Sequence, residues 1–186
     1  MSFKDVYTKE VVPKLQQEFA YDNVNAVPQL TKITLNIGLG KVMGDARYLE
    51  TAEQTVQRIT GQKPVRTLAR KSIAAFKVRE GNVVGLKVTL RGKRMWDFLE
   101  KLIKVTFPRI RDFRGLEAKK GFDGRGNYAL GFKEHIAFPE IRSDEIEVIH
   151  GLQVNASTTA RTNKEAQALL THLGFPFQDD NKTSKS

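Results

Sequence analysis

Phe3, Tyr7, Val11, Leu15 and Phe19 recur every fourth residue, a spacing that gathers apolar side chains along one face of a helix. Pro13 falls inside that run and lacks a backbone donor, so a kink or an early end is expected there. Over residues 31–39 the period changes to two. Ile33, Leu35 and Ile37 alternate with Lys32, Thr34 and Asn36, which predicts a strand with one buried face. Leu49, Ala52, Val56 and Ile59 restore helical spacing over residues 46–60, and Gly61 is placed to close that helix.

Residues 72–79 and 83–91 read as two strands joined at Glu80-Gly81-Asn82, a hairpin tip. A helix over 93–107 carries Trp96, Leu99 and Ile103 and is stopped by Pro108. Residues 109–127 form a long loop rich in Gly and Arg. Residues 128–138 are strand-like up to Pro139, and 151–158 alternate again, with Leu152, Val154 and Ala156 opposite Gln153, Asn155 and Ser157. The closing helix opens on a capping box, Thr162-x-x-Glu165, and stops at Gly174-Phe175-Pro176. No internal repeat is seen. Hairpin-joined strands with separate helices predict an α+β fold: an antiparallel sheet with helices packed on one face. Residues 1–177 are expected to form a single domain with long basic loops, and 178–186 a polar, disordered tail.

Charge changes this picture. Lys and Arg number 31 against 21 Asp and Glu, a net +10. Lys63, Arg66, Arg70, Lys71, Lys77, Arg79, Lys87, Arg91, Lys93 and Arg94 fall between residues 61 and 94, where Glu80 is the only acid, and the rest of the chain is close to neutral. An ordinary solvated surface intersperses the two signs. A concentrated block points instead to a polyanionic partner, because each neutralised phosphate releases condensed counterions.

Several chemistries lack their residues. There is no cysteine, which excludes disulfides, thiolate metal sites and cysteine nucleophiles. Gly38-Leu39-Gly40 suggests a dinucleotide loop, but the third glycine would be needed at Met43, so a glycine-eased strand exit is the better reading. His135, His150 and His172 share no metal-ligand spacing and read as core or surface histidines. The acids Glu134, Glu140, Asp144, Glu145 and Glu147 face only Arg142 in their stretch. They could pair for acid-base work, but a solvated acidic face or a dock for a basic protein needs fewer assumptions. No catalytic residue, metal or cofactor is expected. No run approaches the roughly 18 apolar residues of a membrane span, and the first residues lack the apolar region of a signal peptide. A cytoplasmic location is expected.

The polar strand faces are more informative. Lys87, Thr89 and Arg91 stand opposite Leu86, Val88 and Leu90, and the earlier strand offers Lys32, Thr34 and Asn36. Cations suit phosphates, while Thr and Asn suit 2′-hydroxyls and base edges; a solvent-washed face would also favour Thr and Lys. The stretch 61–72, with Lys63, Arg66, Arg70 and Lys71, has no acid and too little apolar surface to bury itself. Residues 109–115 and 122–128 combine guanidinium, aromatic and glycine, a mix suited to phosphate contact and base stacking, or to loops whose arginines pair with Asp112 and Asp123. A generic single-stranded-RNA module of the RRM type is a competing reading, but Arg125-Gly-Asn-Tyr-Ala-Leu-Gly-Phe132 lacks the two central aromatics of that signature. A phosphate-handling enzyme should show a nucleotide loop or convergent acid-base residues, and neither is evident.

Lys32-Ile-Thr-Leu-Asn-Ile-Gly38, Gly61-Gln-Lys-Pro64, Ala69-Arg-Lys-Ser72, Lys87-Val-Thr-Leu-Arg-Gly92, Pro108-Arg-Ile-Arg-Asp-Phe-Arg-Gly115, Phe122-Asp-Gly-Arg-Gly-Asn-Tyr128, Phe138-Pro-Glu-Ile141 and Gly174-Phe-Pro-Phe177 stand in an order that resembles the bacterial-type large-subunit ribosomal protein five family. The resemblance covers nearly the whole chain to Phe177. Three departures are a loop over 116–121 one residue longer than the family suggests, a tail after Phe177 that is acidic then polar where the family suggests a short basic one, and His150 where it suggests arginine. The resemblance implies an α+β fold, no enzymatic activity, no homo-oligomer, and a structural role in the large ribosomal subunit. It implies binding of 5S rRNA and its attachment to the large-subunit rRNA in the central protuberance, through Asn36, Gly38, Gln62, Thr89 and Arg91. It also implies contact with peptidyl-site tRNA, expected at Lys77, Val78, Arg79, Glu80 and Gly81. A bridge to small-subunit protein thirteen is expected at Glu134, Asp144, Glu145 and Glu147.

Overall fold

A computed structural model describes residues 2–40, 46–111, 113–141 and 149–178. Five strands, β1 (Leu30–Gly38), β2 (Val65–Leu68), β3 (Val83–Leu90), β4 (Tyr128–Phe132) and β5 (Leu152–Thr158), form an antiparallel sheet in the order β2-β3-β1-β5-β4. With its helices this is the α+β fold that the alternating patterns predict. The chain divides into two compact units, one made of Met1–Ile33, Arg91–Leu130 and Asn155–Ser186, the other of Thr34–Leu90 and Gly131–Val154.

In the first unit the opening apolar stripe forms α1 (Phe3–Val6), a π turn (Tyr7–Val11) and α2 (Val12–Phe19) without interruption. Pro13 does not break the run. A proline clashes with the carbonyl four residues back and donates no hydrogen bond, and a π turn just before it widens the spiral at that point. Tyr7 packs on Trp96 with ring centroids 5.4 Å apart and donates its hydroxyl to Pro28 O at 3.0 Å. The same device recurs at Pro108. Here α4 (Gly92–Lys101) is followed by a π turn (Leu102–Thr106) and α5 (Phe107–Arg109), so the proline lies inside the last turn instead of stopping the helix before it. Phe107 is fully buried, stacked on Phe113 at 5.4 Å and edge-on to Phe175 at 5.8 Å. The expected loop over 109–127 contains a short helix, α6 (Ala118–Gly121), and Leu116 pairs with Phe177. The capping box holds α7 (Asn163–His172): Thr162 Oγ1 accepts from Glu165 N at 3.3 Å, and the Glu165 carboxylate accepts from Thr162 N at 3.3 Å.

In the second unit α3 (Ala46–Thr60) has the predicted bounds and packs its buried Ala52, Val56 and Ile59 face on the sheet. Strand β2 was not expected, because residues 61–72 lack the apolar alternation of a half-buried strand. It nevertheless pairs antiparallel with β3, with Val65 opposite Lys87 and Thr67 opposite Gly85. A Cβ on Gly85 would stand 2.7 Å from Ile37 O and 2.9 Å from Thr67 Oγ1, so only glycine fits between the flanking strands. Residues 72–79 are not the predicted strand. They hold a short 3₁₀ turn (Ala74–Phe76), and nearly every residue from 70 to 82 is exposed, which leaves no buried face for a strand to serve. Strand β4 ends at Phe132, not at 138; a 3₁₀ turn (His135–Ala137) follows and carries Phe138 into the core. The polar tail beyond Gln178 lies outside the described residues.

Candidate nucleic-acid interface

Strands β1 and β3 lie side by side, with Leu39 N donating to Val84 O at 3.0 Å. Their apolar side chains, Leu35, Ile37, Leu86, Val88 and Leu90, are buried, while Thr34, Asn36 and Thr89 are half-buried and Lys87 is exposed. The period-two pattern therefore places Thr34, Asn36, Lys87 and Thr89 together on the uncovered side of two neighbouring strands. Gln62, just past the end of α3, comes close to the same strand: its Nε2 lies 3.5 Å from Thr89 O. Gly38 closes β1 in open space, with nothing within 4 Å of the position a Cβ would take. Arg91, exposed, follows β3 directly and stands at the position before α4 without a side-chain cap hydrogen bond. Within the second unit, Thr34, Asn36, Gln62, Lys87 and Thr89 offer hydroxyls, amides and a cation able to donate and accept hydrogen bonds with a ribose-phosphate backbone.

The cations of the 61–72 stretch are not equivalent. Lys63, Arg70 and Lys71 are exposed, but Arg66 forks onto Glu53 of α3, through Nε to Oε1 and through Nη2 to Oε2 at 3.2 Å. The Arg66 hydrogen bond, with Arg66 and Lys63 charge behind it, holds the Glu53 carboxyl below the usual carboxylate range against the opposing effect of burial. A phosphate approaching this guanidinium would have to displace Glu53. Glu53→Gln is expected to strengthen RNA binding at low salt and to steepen the log–log salt dependence by about 0.7–0.9 as Arg66 becomes available. An unchanged slope would show that Arg66 stays off the RNA.

The loop between β2 and β3 is closed in two stages. At its base Ala69 N donates to Asn82 O at 2.8 Å, Gly81 N to Ala69 O at 3.0 Å and Glu80 N to Ser72 Oγ at 2.9 Å. Farther out Ile73 N donates to Val78 O at 2.9 Å and Val78 N to Ile73 O at 3.2 Å, which closes the turn of residues 74–77. Glu80-Gly81-Asn82 is accordingly not the tip. It is the point where the returning chain rejoins its partner, and Lys77 with φ +53° sits at the apex in a left-handed conformation. Lys77, Arg79, Glu80 and Gly81 are exposed and Val78 is half-buried. Ile73 and Phe76 are 47% and 70% exposed at this apex. Sequence reading missed both, because an apolar residue within a strand-like run is assigned to a core by default.

Of the residues expected to form an acidic dock, Glu134 is exposed beside β4, while Asp144, Glu145 and Glu147 lie outside the described residues. The histidines do not gather as ligands, and among the described residues no group of three or more metal-ligating side chains is found. His135 and His150 are instead buried face to face, with ring centroids 4.0 Å apart at 12°, and Tyr48 meets His150 edge-on at 6.4 Å. His172 pairs with Glu18 at 3.0 Å. Among the described residues no helix is long and apolar enough to cross a membrane.

Two family models match in succession. The one described as ribosomal protein L5 matches residues 23–79, and the one describing the C-terminus of the same ribosomal family matches residues 83–177. The large ribosomal subunit protein uL5 of Idiomarina loihiensis is 53% identical over 174 residues, covering 94% of this chain and 97% of that protein. The chain belongs to the ribosomal protein L5 family, a structural, non-enzymatic component of the large ribosomal subunit.

Proposed function

We propose that this protein binds 5S rRNA and attaches it to the large-subunit rRNA in the central protuberance of the cytoplasmic ribosome. Membership of the family makes the ribosome and its rRNA the partners. The observation that carries the finer reading is the polar sheet side on β1 and β3: Asn36 and Thr89 stand half-exposed on neighbouring strands whose other side is sealed in the core. Gly38, Gln62 and Arg91 are the remaining 5S rRNA contacts in this reading, and Lys63, Arg66, Arg70 and Lys71 supply phosphate contacts around them. Residues 1–177 act as one RNA-binding domain. A folded protein with Thr89→Ala and Arg91→Ala together is expected to lose about 1–3 kcal/mol of 5S rRNA affinity, the loss of direct hydrogen bonds to RNA. Unaltered affinity would overturn this assignment.

The protein also acts as a connector in this reading. The cationic loop at Lys77, Val78, Arg79, Glu80 and Gly81, exposed but for Val78, approaches peptidyl-site tRNA, and the acidic stretch with Glu134, Asp144, Glu145 and Glu147 bridges to small-subunit protein thirteen. Opposite signs support the division, since RNA repels carboxylates and a basic protein attracts them. Ribosomes carrying Lys77→Glu with Arg79→Glu should release peptidyl-site tRNA faster. Those carrying Glu145→Lys with Glu147→Lys should lose subunit association at low magnesium. Wild-type behaviour in both, with 5S rRNA still incorporated, would refute the connector role.

A further inference from the structure

The apex of the β2–β3 loop carries a feature that phosphate contact does not explain. An aromatic ring 70% exposed has lost its share of burial, and water gains nothing from it. Phe76 is nevertheless held in place. The turn of residues 74–77 is closed at both ends by the Ile73–Val78 hydrogen bonds, Lys77 N donates to Ala74 O at 3.0 Å, and Lys77 takes the left-handed backbone that turns the chain back. Two hydrogen-bonded stages below this turn fix its direction, so the ring is presented from a braced support at little cost in ordering entropy. Its surroundings are cationic: Arg70, Lys71, Lys77 and Arg79 are exposed on the same loop, with Glu80 the one acid. Exposed apolar surface ringed by cations fits a ligand with an apolar, polarisable face and an anionic frame. Unstacked nucleobases on their phosphate backbone have both, and a base stacked on a protein aromatic is a common way of binding unpaired RNA.

We infer that Phe76 is a stacking residue, which docks its ring on an exposed nucleobase of the tRNA while Lys77 and Arg79 meet the neighbouring phosphates. The inference rests on the proposal that this loop approaches peptidyl-site tRNA and adds the element that reads base surface. Stacking and charge differ in their response to salt, because burying a ring face releases no counterions. They also differ in what replaces them: an aromatic ring of any kind can stack, whereas leucine restores apolar bulk without a planar face.

The test is the dissociation rate of peptidyl-site tRNA from ribosomes carrying Phe76→Ala, Phe76→Leu or Phe76→Trp, compared with Lys77→Glu with Arg79→Glu and with wild type over a range of salt. Phe76→Ala is expected to accelerate release by about fivefold or more, in line with the loss of one base–aromatic stack. The salt slope should stay that of wild type, Phe76→Leu should behave like Phe76→Ala, and Phe76→Trp should keep the wild-type rate. Wild-type release in the alanine and leucine variants overturns the stacking role. Full rescue by leucine does so as well, because it assigns the ring to an apolar pocket of a protein partner. If the charge-reversed pair slows or leaves release unchanged, the tRNA proposal itself fails; if only the Phe76 variants are silent, that proposal stands and the stacking inference alone falls.

Discussion

Gly126→Ala is expected to destabilise the protein by about 2–5 kcal/mol, combining the strain of a left-handed Cβ with overpacking against a neighbour. Gly126 has φ +81°, and a Cβ there would stand 2.6 Å from Ala160 O and 2.9 Å from Ala160 Cβ. Backbone atoms cannot swing aside as a side-chain end can. The surrounding loop is also tightly tied: Asp123 Oδ1 accepts from Arg125 N at 2.8 Å and Asn127 N at 3.0 Å, and Asp123 Oδ2 accepts from Asn127 Nδ2 at 2.7 Å. Thr158 Oγ1 donates to Gly126 O at 2.7 Å, which fastens the loop to β5. The Asn127 hydrogen bond, aided by the Arg125 amide, holds the Asp123 carboxyl below its ordinary range, as suits a carboxylate used as the knot of a turn. Gly124 is the internal control. Its φ of +85° is equally left-handed, but nothing lies within 4 Å of its Cβ position, so Gly124→Ala should cost only about 1–2 kcal/mol. Urea unfolding of the two variants measures the difference. Equal losses would show that the loop yields at Ala160 and that the close approach carries no energy.

Acid is expected to remove about 3 kcal/mol of stability between roughly pH 6.5 and pH 4, through His150. Burial, joined by the neighbouring His135, pushes the His150 imidazole down to about 4 against a raising effect from the Gly151 backbone. His135, 2% exposed, is likewise lowered by burial, against a raising effect from its backbone hydrogen bond and from Glu134. A depressed histidine is neutral in the folded chain while the unfolded chain takes up a proton. Full stability is therefore present above about pH 6.5, and it is lost as pH falls toward the folded value, below which both states are protonated. His150→Leu should flatten stability across this window, measured by urea unfolding at stepped pH. A wild-type acid response in that variant would assign the loss to other groups.

These two predictions mark different degrees of legibility. The turn chemistry around Asp123 and the two glycines is written in Phe122-Asp-Gly-Arg-Gly-Asn-Tyr128, but the motif alone suggested a loop for RNA contact or one whose arginines pair with Asp123. What makes Gly126 irreplaceable is Ala160, brought against it by β5 and the start of α7. The histidines were expected to be core or surface residues, and they divide in that way, with His135 and His150 buried and His172 paired at the surface. Nothing in a separation of 15 residues announces that two rings will stack.

Elements whose stability is local can be read from the order of residues. Alternation in β1 and β5 fixes which side chains face the core, because a strand has a strict period of two. The bounds of α3 and the capping box of α7 follow from helical spacing and from side-chain hydrogen bonds that span only a few residues. From β1 and β3 the polar side with Asn36 and Thr89 could be read from the chain alone, and the family resemblance could be read from motif order. The rest follows from how the folded chain packs. Strand β2 exists because β3 supplies its hydrogen bonds, although its own side chains remain largely exposed. The helices pass Pro13 and Pro108 because π turns accommodate them and packing holds the continuation in place. Arg66 is drawn from the cationic stretch by Glu53, thirteen residues away in sequence. Phe76 is left outside because its turn has no core to enter. For β2 and Arg66 the decisive partner lies on another element, so its hydrogen bonds carry no local period from which they could be read.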